Sequence, residues 1–313
     1  MKKIAMAAAK FAIGVAIILY LVYFVGIAEI YKTITSTNLL YLPLIVAVFV
    51  FSVAMRGLIF KVLLQPHETK ERKFGLLKLA WISVLSWSAG MFTPGKLGEF
   101  SSIYLLKKEG VELGTAAAVS LFNKIVTSFT IGVFALVGML KFLGLQSVIQ
   151  TLGVSVLLAI ILIIIVILPY LLFLNRTTRE LIKKTFLMKY ENQFTGFTRE
   201  FTKYFFRREL IWSIFLNLIW VVISSYLFML AFAAVGQSVN FWDVMFVNSI
   251  GTTTSYIPVT IGGTGLREGV ALIYFGKLGI SNAAILGSHL IIAAISYTLA
   301  GLTALLFLAR KNQ

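Results

Sequence analysis

Two short stretches hold the residues from which chemistry could be built. The more charged one, 256–269, reads Tyr-Ile-Pro-Val-Thr-Ile-Gly-Gly-Thr-Gly-Leu-Arg-Glu-Gly and sets Arg267 and Glu268 behind Pro258, Gly262, Gly263 and Gly265. An earlier stretch, 93–100, reads Thr-Pro-Gly-Lys-Leu-Gly-Glu-Phe and repeats the order of breaker then charge with Pro94, Gly95, Lys96, Gly98 and Glu99. Successive backbone N–H groups in Gly-rich turns form concavities that hold an anion such as a phosphate group. A guanidinium beside such a turn adds charge-assisted hydrogen bonds. No Gly-Lys-Ser/Thr follows the glycines, so nucleotide hydrolysis on a phosphate loop is not indicated. Any transport would be passive or ion-coupled. The chain has no cysteine, which removes thiol chemistry, disulfides and cysteine metal sites. Nor does it show a His-based nucleophile system, a metal-ligand cluster or a carboxylate pair of known geometry. No catalytic residue, metal or cofactor is therefore expected.

The elements that position these stretches belong to a membrane. Of 313 residues, 59% are hydrophobic and 13% charged, and the mean hydropathy is +0.94. Those values lie far outside the soluble range. At about 20 residues per span there is room for roughly six to eight crossings and no soluble catalytic domain. The net charge of +16 sits between apolar runs, where it sets orientation and faces anionic lipid, so nucleic acid is not an expected partner. Helical backbone cannot run unbroken through Pro258 and its glycines, and hydrocarbon supplies no partner for the freed peptide groups. Such a break survives only against protein or a polar cavity.

In chain order, Lys2, Lys3 and Lys10 precede an apolar run over 11–26, read as an uncleaved first helix with a cytoplasmic amino end. Residues 39–64 form a second span that contains Arg56. Residues 74–92 are apolar and run into the first Pro/Gly stretch, a polar-flanked helix follows at 101–113, and 116–140 and 148–174 are full spans. The long basic segments 61–78 and 175–209 are both cytoplasmic by the positive-inside rule, so an even number of crossings separates them. The spans 116–140 and 148–174 supply two. The segment from 74 through Pro94 must then enter and return on one side as a re-entrant hairpin. The same parity makes 241–277 a hairpin from the outer side, between crossings at 210–235 and 281–308, and leaves both termini cytoplasmic.

The expected fold is all-α: a polytopic integral membrane protein of about six transmembrane helices plus two oppositely oriented re-entrant helical hairpins in an inverted repeat. A single membrane domain covers 1–313. It divides into a first helix and outer loop (1–38), repeat one (39–140), a linking helix with the cytoplasmic basic segment (141–209) and repeat two (210–308). Pro94 and Pro258 lie 164 positions apart (258 minus 94) and are read as counterparts. In such repeats the broken elements meet near the bilayer midplane and aim helix amino termini at an anionic substrate.

Each charge also has a structural reading. Arg56 either snorkels to the interface or lines a cavity. Glu99 and Glu268 fall in first helical turns, where a carboxylate complements the helix dipole. Arg267 at membrane depth needs a partner, either Glu268 beside it or a phosphate that Lys124 would share. Lys96 is placed at the cytoplasmic mouth and Asp243 at the interface. His289 either bonds to a neighbouring helix or titrates in function.

The pattern Pro94-Gly95-x-x-Gly98-Glu99, followed about 160 residues later by Ile257-Pro258-x-x-x-Gly262-Gly263-x-Gly265-x-Arg267-Glu268, resembles the transmembrane region of the lysylphosphatidylglycerol synthase/flippase-like family, which includes the UPF0104 membrane proteins. The resemblance spans about 39–308, and Arg56-Gly57 matches the family's arginine in the second span. It implies a multi-pass protein of the cell membrane that moves a lipid with an anionic or polar head group, phospholipid or polyprenyl-phosphate-linked, between leaflets. Partners would be membrane lipids or a separate lipid-modifying enzyme, and the chain itself would not be an enzyme. The alternative is an intramembrane phosphatase or transferase in polyprenyl-linked glycan assembly. One departure bears on the substrate: where many members show Glu-Arg-x-x-Asp, this chain has Asn123-Lys124-Ile125-Val126-Thr127.

Overall fold

The computed structural model describes residues 2–68, 73–174, 191–204 and 207–311, and its regular structure there is helical. Helix α1 (Lys2–Val25) ends at Gly26, whose φ of 98° only glycine adopts readily, and α2 (Ile27–Thr35) leaves at 90° to it. Helix α2 is amphipathic, with Ile30 packed on Leu21 and Leu286 and with Glu29 and Lys32 on the same short element, a pattern suited to an interface. Helix α3 (Tyr41–Leu64) is apolar on every side, as a helix within a membrane must be. Helix α4 (Leu76–Met91) stops at the first Pro/Gly turn, and α5 (Ser101–Lys108) follows a 3₁₀ turn at Leu97–Phe100.

The spans expected separately at 116–140 and 148–174 are two parts of one helical run, α6 (Leu113–Leu174), broken only at Gly144 with φ 76°. The basic segment 175–209 contains α7 (Glu191–Tyr204) and the start of the next helix; 175–190 and 205–206 lie outside the described residues. Next come α8 (Arg208–Ala234), α9 (Phe241–Thr254), α10 (Leu266–Gly276) and α11 (Asn282–Lys311). Asn240 caps α9 by accepting from the Trp242 N–H at 2.9 Å. Among the described residues, the helical stretches 41–67, 113–144, 208–234 and 282–309 are long and apolar enough to cross a bilayer, and the bent pair α1–α2 would make a fifth span.

Lipid gives apolar side chains no incentive to leave it, so helices in a membrane associate through close packing and internal hydrogen bonds. Two glycines show how this chain does it. A Cβ on Gly57 would lie 2.5 Å from the Ala80 backbone, so α3 and α4 touch main chain to main chain; on Gly138 it would lie 2.8 Å from Phe246, which seats α9 on α6. One apolar core joins α3, α8, α9, α10 and α11 around Phe49, Phe228, Phe232 and Phe275. A second joins α3, α4, α5, α6 and α7 around Phe60, Leu106, Phe122 and Tyr204.

Candidate functional site

The two Pro/Gly stretches fold into matching turns and lie against each other. Gly95 and Lys96 have φ of 59° and 56°; Gly262 and Gly263 have φ of 64° and 82°. Lys96 is the one non-glycine among the described residues with positive φ, a conformation that costs a β-carbon about 1 kcal/mol or more. Pro94 pairs antiparallel with Ile261, and the Gly262 N–H donates to the Thr93 carbonyl at 3.3 Å. The residue bridged to Pro94 is thus Ile261, 167 positions on (261 minus 94), and not Pro258. In both turns the left-handed pair follows the bridged residue, and proline, with φ fixed negative, can sit before such a pair but not in it. Pro258 serves instead as a wall for Gly95, whose missing Cβ would lie 2.9 Å from the Tyr256 carbonyl and 3.3 Å from the Pro258 side chain. Helix α1 closes over the second turn, where Gly14 and Ile17 pack on Thr264 and Gly265.

A glycine in the preceding helix then admits a charge on each side of this junction. A Cβ on Gly90 of α4 would lie 2.7 Å from Glu99 Cγ, and one on Gly251 of α9 would lie 3.0 Å from Arg267 Cγ. Glu99 enters a cleft lined by Arg56, Ser83, Ser86, Ser102, Asn123 and Lys124. Its Oε2 accepts from Lys124 Nζ at 2.8 Å and from Arg56 Nη2 at 3.4 Å. The three side chains are only 11%, 16% and 11% exposed, so the cations are held by the carboxylate and not by water. Arg56 therefore lines a cavity and does not snorkel. Its guanidinium lies 5.5 Å from the centre of the Trp220 ring, and Lys124 Nζ lies 3.9 Å from that of Tyr256.

Arg267 and Glu268 line a second cleft with Gly262, Gly263, Thr264 and His289. They do not pair with each other. Arg267 Nη2 donates to Asn248 Oδ1 at 2.6 Å, its guanidinium lies 4.3 Å from the Phe228 ring centre, and its buried Nε has no acceptor among the described residues. Glu268 Oε2 accepts from the Gly265 N–H at 2.7 Å and so caps α10, as the helix-terminus reading expects. Consecutive side chains on a helix point about 100° apart, which is why adjacency in sequence makes no ion pair here.

Other expected placements change as well. Lys124 belongs to the Glu99 cluster and does not share a site with Arg267, because α6 packs on α5 and α3 and brings it to the first turn. Lys96 lies 5.5 Å from the centre of the same Tyr256 ring, at the junction of the turns. Asp243 is 8% exposed and is paired with Lys141, so it is a buried anchor between α9 and α6. The ring of His289 bonds to the Ile285 carbonyl of its own helix at 2.9 Å, amid Phe228, Phe232 and Phe275. Of the sequence that departs from Glu-Arg-x-x-Asp, Thr127 bonds to Asn217 of α8 at 2.8 Å, which replaces a charge by a neutral interhelical bond.

Sequence reasoning missed Tyr256, Trp220 and Asn248 as partners of the charges, and Gly90 and Gly251 as the gaps that admit them. Only Tyr256 carried a signal, its place at the head of the broken stretch.

Several membrane-length apolar helices, with two broken segments bridged to each other and a buried cation-bearing cleft beside each, define a multi-pass helical membrane protein. Residues 8–304 match the family described as the lysylphosphatidylglycerol synthase TM region. The chain belongs to that family, which covers nearly its whole length. No curated protein matches it.

Proposed function

We propose that this protein is a flippase-type transporter that moves a lipid with an anionic or polar head group, phospholipid or polyprenyl-phosphate-linked, between the leaflets of the cell membrane, without altering it chemically. The observation that carries this reading is the antiparallel bridge between the Pro94 and Ile261 turns, with a charged cleft on either side. Two copies of one turn related antiparallel are what a pseudo-twofold axis in the membrane plane produces. Helix packing supports the same relation. Helices α3 and α8 pack on each other, α4 packs on α11 as α9 packs on α6, and α5 packs on α6 as α10 packs on α11. Each of these contacts has its counterpart when the helices 41–144 are exchanged for 208–311. In this reading α4–α5 and α9–α10 are re-entrant hairpins of opposite orientation and both termini are cytoplasmic.

Arg267 is the group to which the head group binds, because its buried Nε has no acceptor among the described residues. The test is lipid scrambling by the full chain in liposomes, read with headgroup-labelled phospholipids and polyprenyl phosphates. Arg267→Gln should slow transport about tenfold, the effect of losing a charge-assisted hydrogen bond, while its thermal unfolding in detergent stays close to that of the unaltered protein. Normal scrambling by a stable Arg267→Gln variant would sink the assignment, and recovery of a covalently modified lipid would point to an enzyme.

A further inference from the structure

We infer that Tyr256 is a positioning residue for transport: its ring, supplied by the second half of the chain, holds Lys124 of the first half in place over Glu99. The inference rests on the flippase reading and names how its two halves are coupled. Glu99, Arg56 and Lys124 all lie in residues 39–140, yet both aromatic faces against these cations come from beyond residue 210. Trp220 stands 5.5 Å from Arg56 and Tyr256 stands 3.9 Å from Lys124. Lys96 faces the same Tyr256 ring at 5.5 Å.

A cation over an aromatic face gains most where water is excluded, and the Lys124 side chain is 16% exposed. Glu99 Oε2 is shared between Lys124 and Arg56, so a single oxygen holds two cations. The Tyr256 ring is then the second anchor for Lys124. The same residue touches the turn through its backbone: its carbonyl packs on Gly95, where a Cβ would lie 2.9 Å away. Ser255, the residue before it, occupies the space beside Gly263. Tyr256 therefore contacts the Glu99 cleft with its ring and the bridged turns with its backbone. A rearrangement of the second turn that swings this residue moves Lys124, and with it the charge of the first cleft. The contact seen is with the face of the ring, so the function is assigned to the ring and not to the phenol.

Two readouts on the same preparations test this. Scrambling of labelled phosphatidylglycerol in liposomes should fall about fivefold or more in Tyr256→Leu and stay within twofold of the unaltered protein in Tyr256→Phe. Adding Tyr256→Leu to Lys124→Gln should cost nothing further. In lysine-Cε-labelled protein in detergent, the Lys124 signal, identified by its loss in Lys124→Gln, should carry an upfield ring-current shift that Tyr256→Phe keeps and Tyr256→Leu removes. Normal transport by Tyr256→Leu, equal losses in the Leu and Phe variants, or multiplied effects in the double variant would overturn the inference. If the unaltered protein scrambles no lipid, the flippase reading fails by itself. The ring-current arm then decides on its own whether Tyr256 positions Lys124, and absence of the shift overturns that too.

Discussion

Glu99 is the residue on which the first cleft depends, because one carboxylate oxygen holds two cations removed from water. Desolvating a charge costs several kcal/mol, which only a well-placed partner offsets. Glu99→Gln leaves Arg56 and Lys124 facing each other without an anion, and we expect a loss of about 3 to 5 kcal/mol in detergent unfolding. Adding Lys124→Gln to Glu99→Gln should recover part of that loss, since one stranded charge is removed. A double variant less stable than Glu99→Gln alone would show that Lys124 has another anion. Arg267 stands in a different position: with Asn248 and the Phe228 ring as its protein partners, it keeps donor capacity for something else. That contrast between a satisfied cluster and an incompletely satisfied cation is why the substrate is assigned to the second cleft.

At the scale of the element, the turns depend on glycine where the backbone is left-handed and the space is full. A Cβ on Gly262 would sit 2.7 Å from the Met91 carbonyl at φ 64°, whereas Gly269 in α10 has nothing within 4 Å of its missing Cβ. Gly262→Ala should therefore destabilise the protein by about 2 kcal/mol or more, and Gly269→Ala should be neutral or stabilising by up to about 1 kcal/mol. The pair, measured in one thermal series, separates the turn's requirement from the general effect of glycine.

Helix α7, whose Phe201 and Tyr204 pack into the second core, also carries a buried carboxylate. Burial pushes the Glu200 carboxyl up, but hydrogen bonding to Lys203 at 2.9 Å, His67 at 3.5 Å and Arg199 at 3.2 Å outweigh it, so its pKa falls below the usual value of 4.5. A group with a depressed folded pKa stabilises the fold above its unfolded pKa and ceases to do so as pH falls through the folded one. Docking of α7 should thus weaken below about pH 4.5, seen as faster amide exchange over 191–204. In Glu200→Gln that acid dependence should disappear.

For the whole molecule, the proposed inverted repeat makes a prediction about sides. The chain has no native cysteine, so single cysteines report cleanly. Introduced at Lys107 and Arg199 they should react with a membrane-impermeant maleimide only from the cytoplasm, and at Ser238 and Lys277 only from outside; all four positions are exposed. Lys107 lies in the last turn of α5 and Lys277 follows α10, so labelling of both from one side would mean that one hairpin crosses the bilayer and that the repeat is not inverted.

Composition and hydropathy alone determined that this is a helical membrane protein, because twenty apolar residues in a row have no other stable use. They also located the two breaks, since proline and clustered glycines end a helix whatever surrounds them. Arg56, Glu99, Lys124, Arg267 and Glu268 were legible as candidates because charge within apolar sequence is costly and therefore placed for a purpose. The grouping of those charges was decided by tertiary structure. Arg267 and Glu268 are neighbours in sequence that line one cleft without pairing, while Arg56, Glu99 and Lys124 come from three elements, α3, the 3₁₀ turn Leu97–Phe100 and α6, that meet only in the fold. The register of the turns was hidden for a similar reason. Pro94 matches Ile261 by backbone conformation, and side-chain identity, which made Pro258 its obvious counterpart, is a weak guide where left-handed φ is the quantity that the fold repeats.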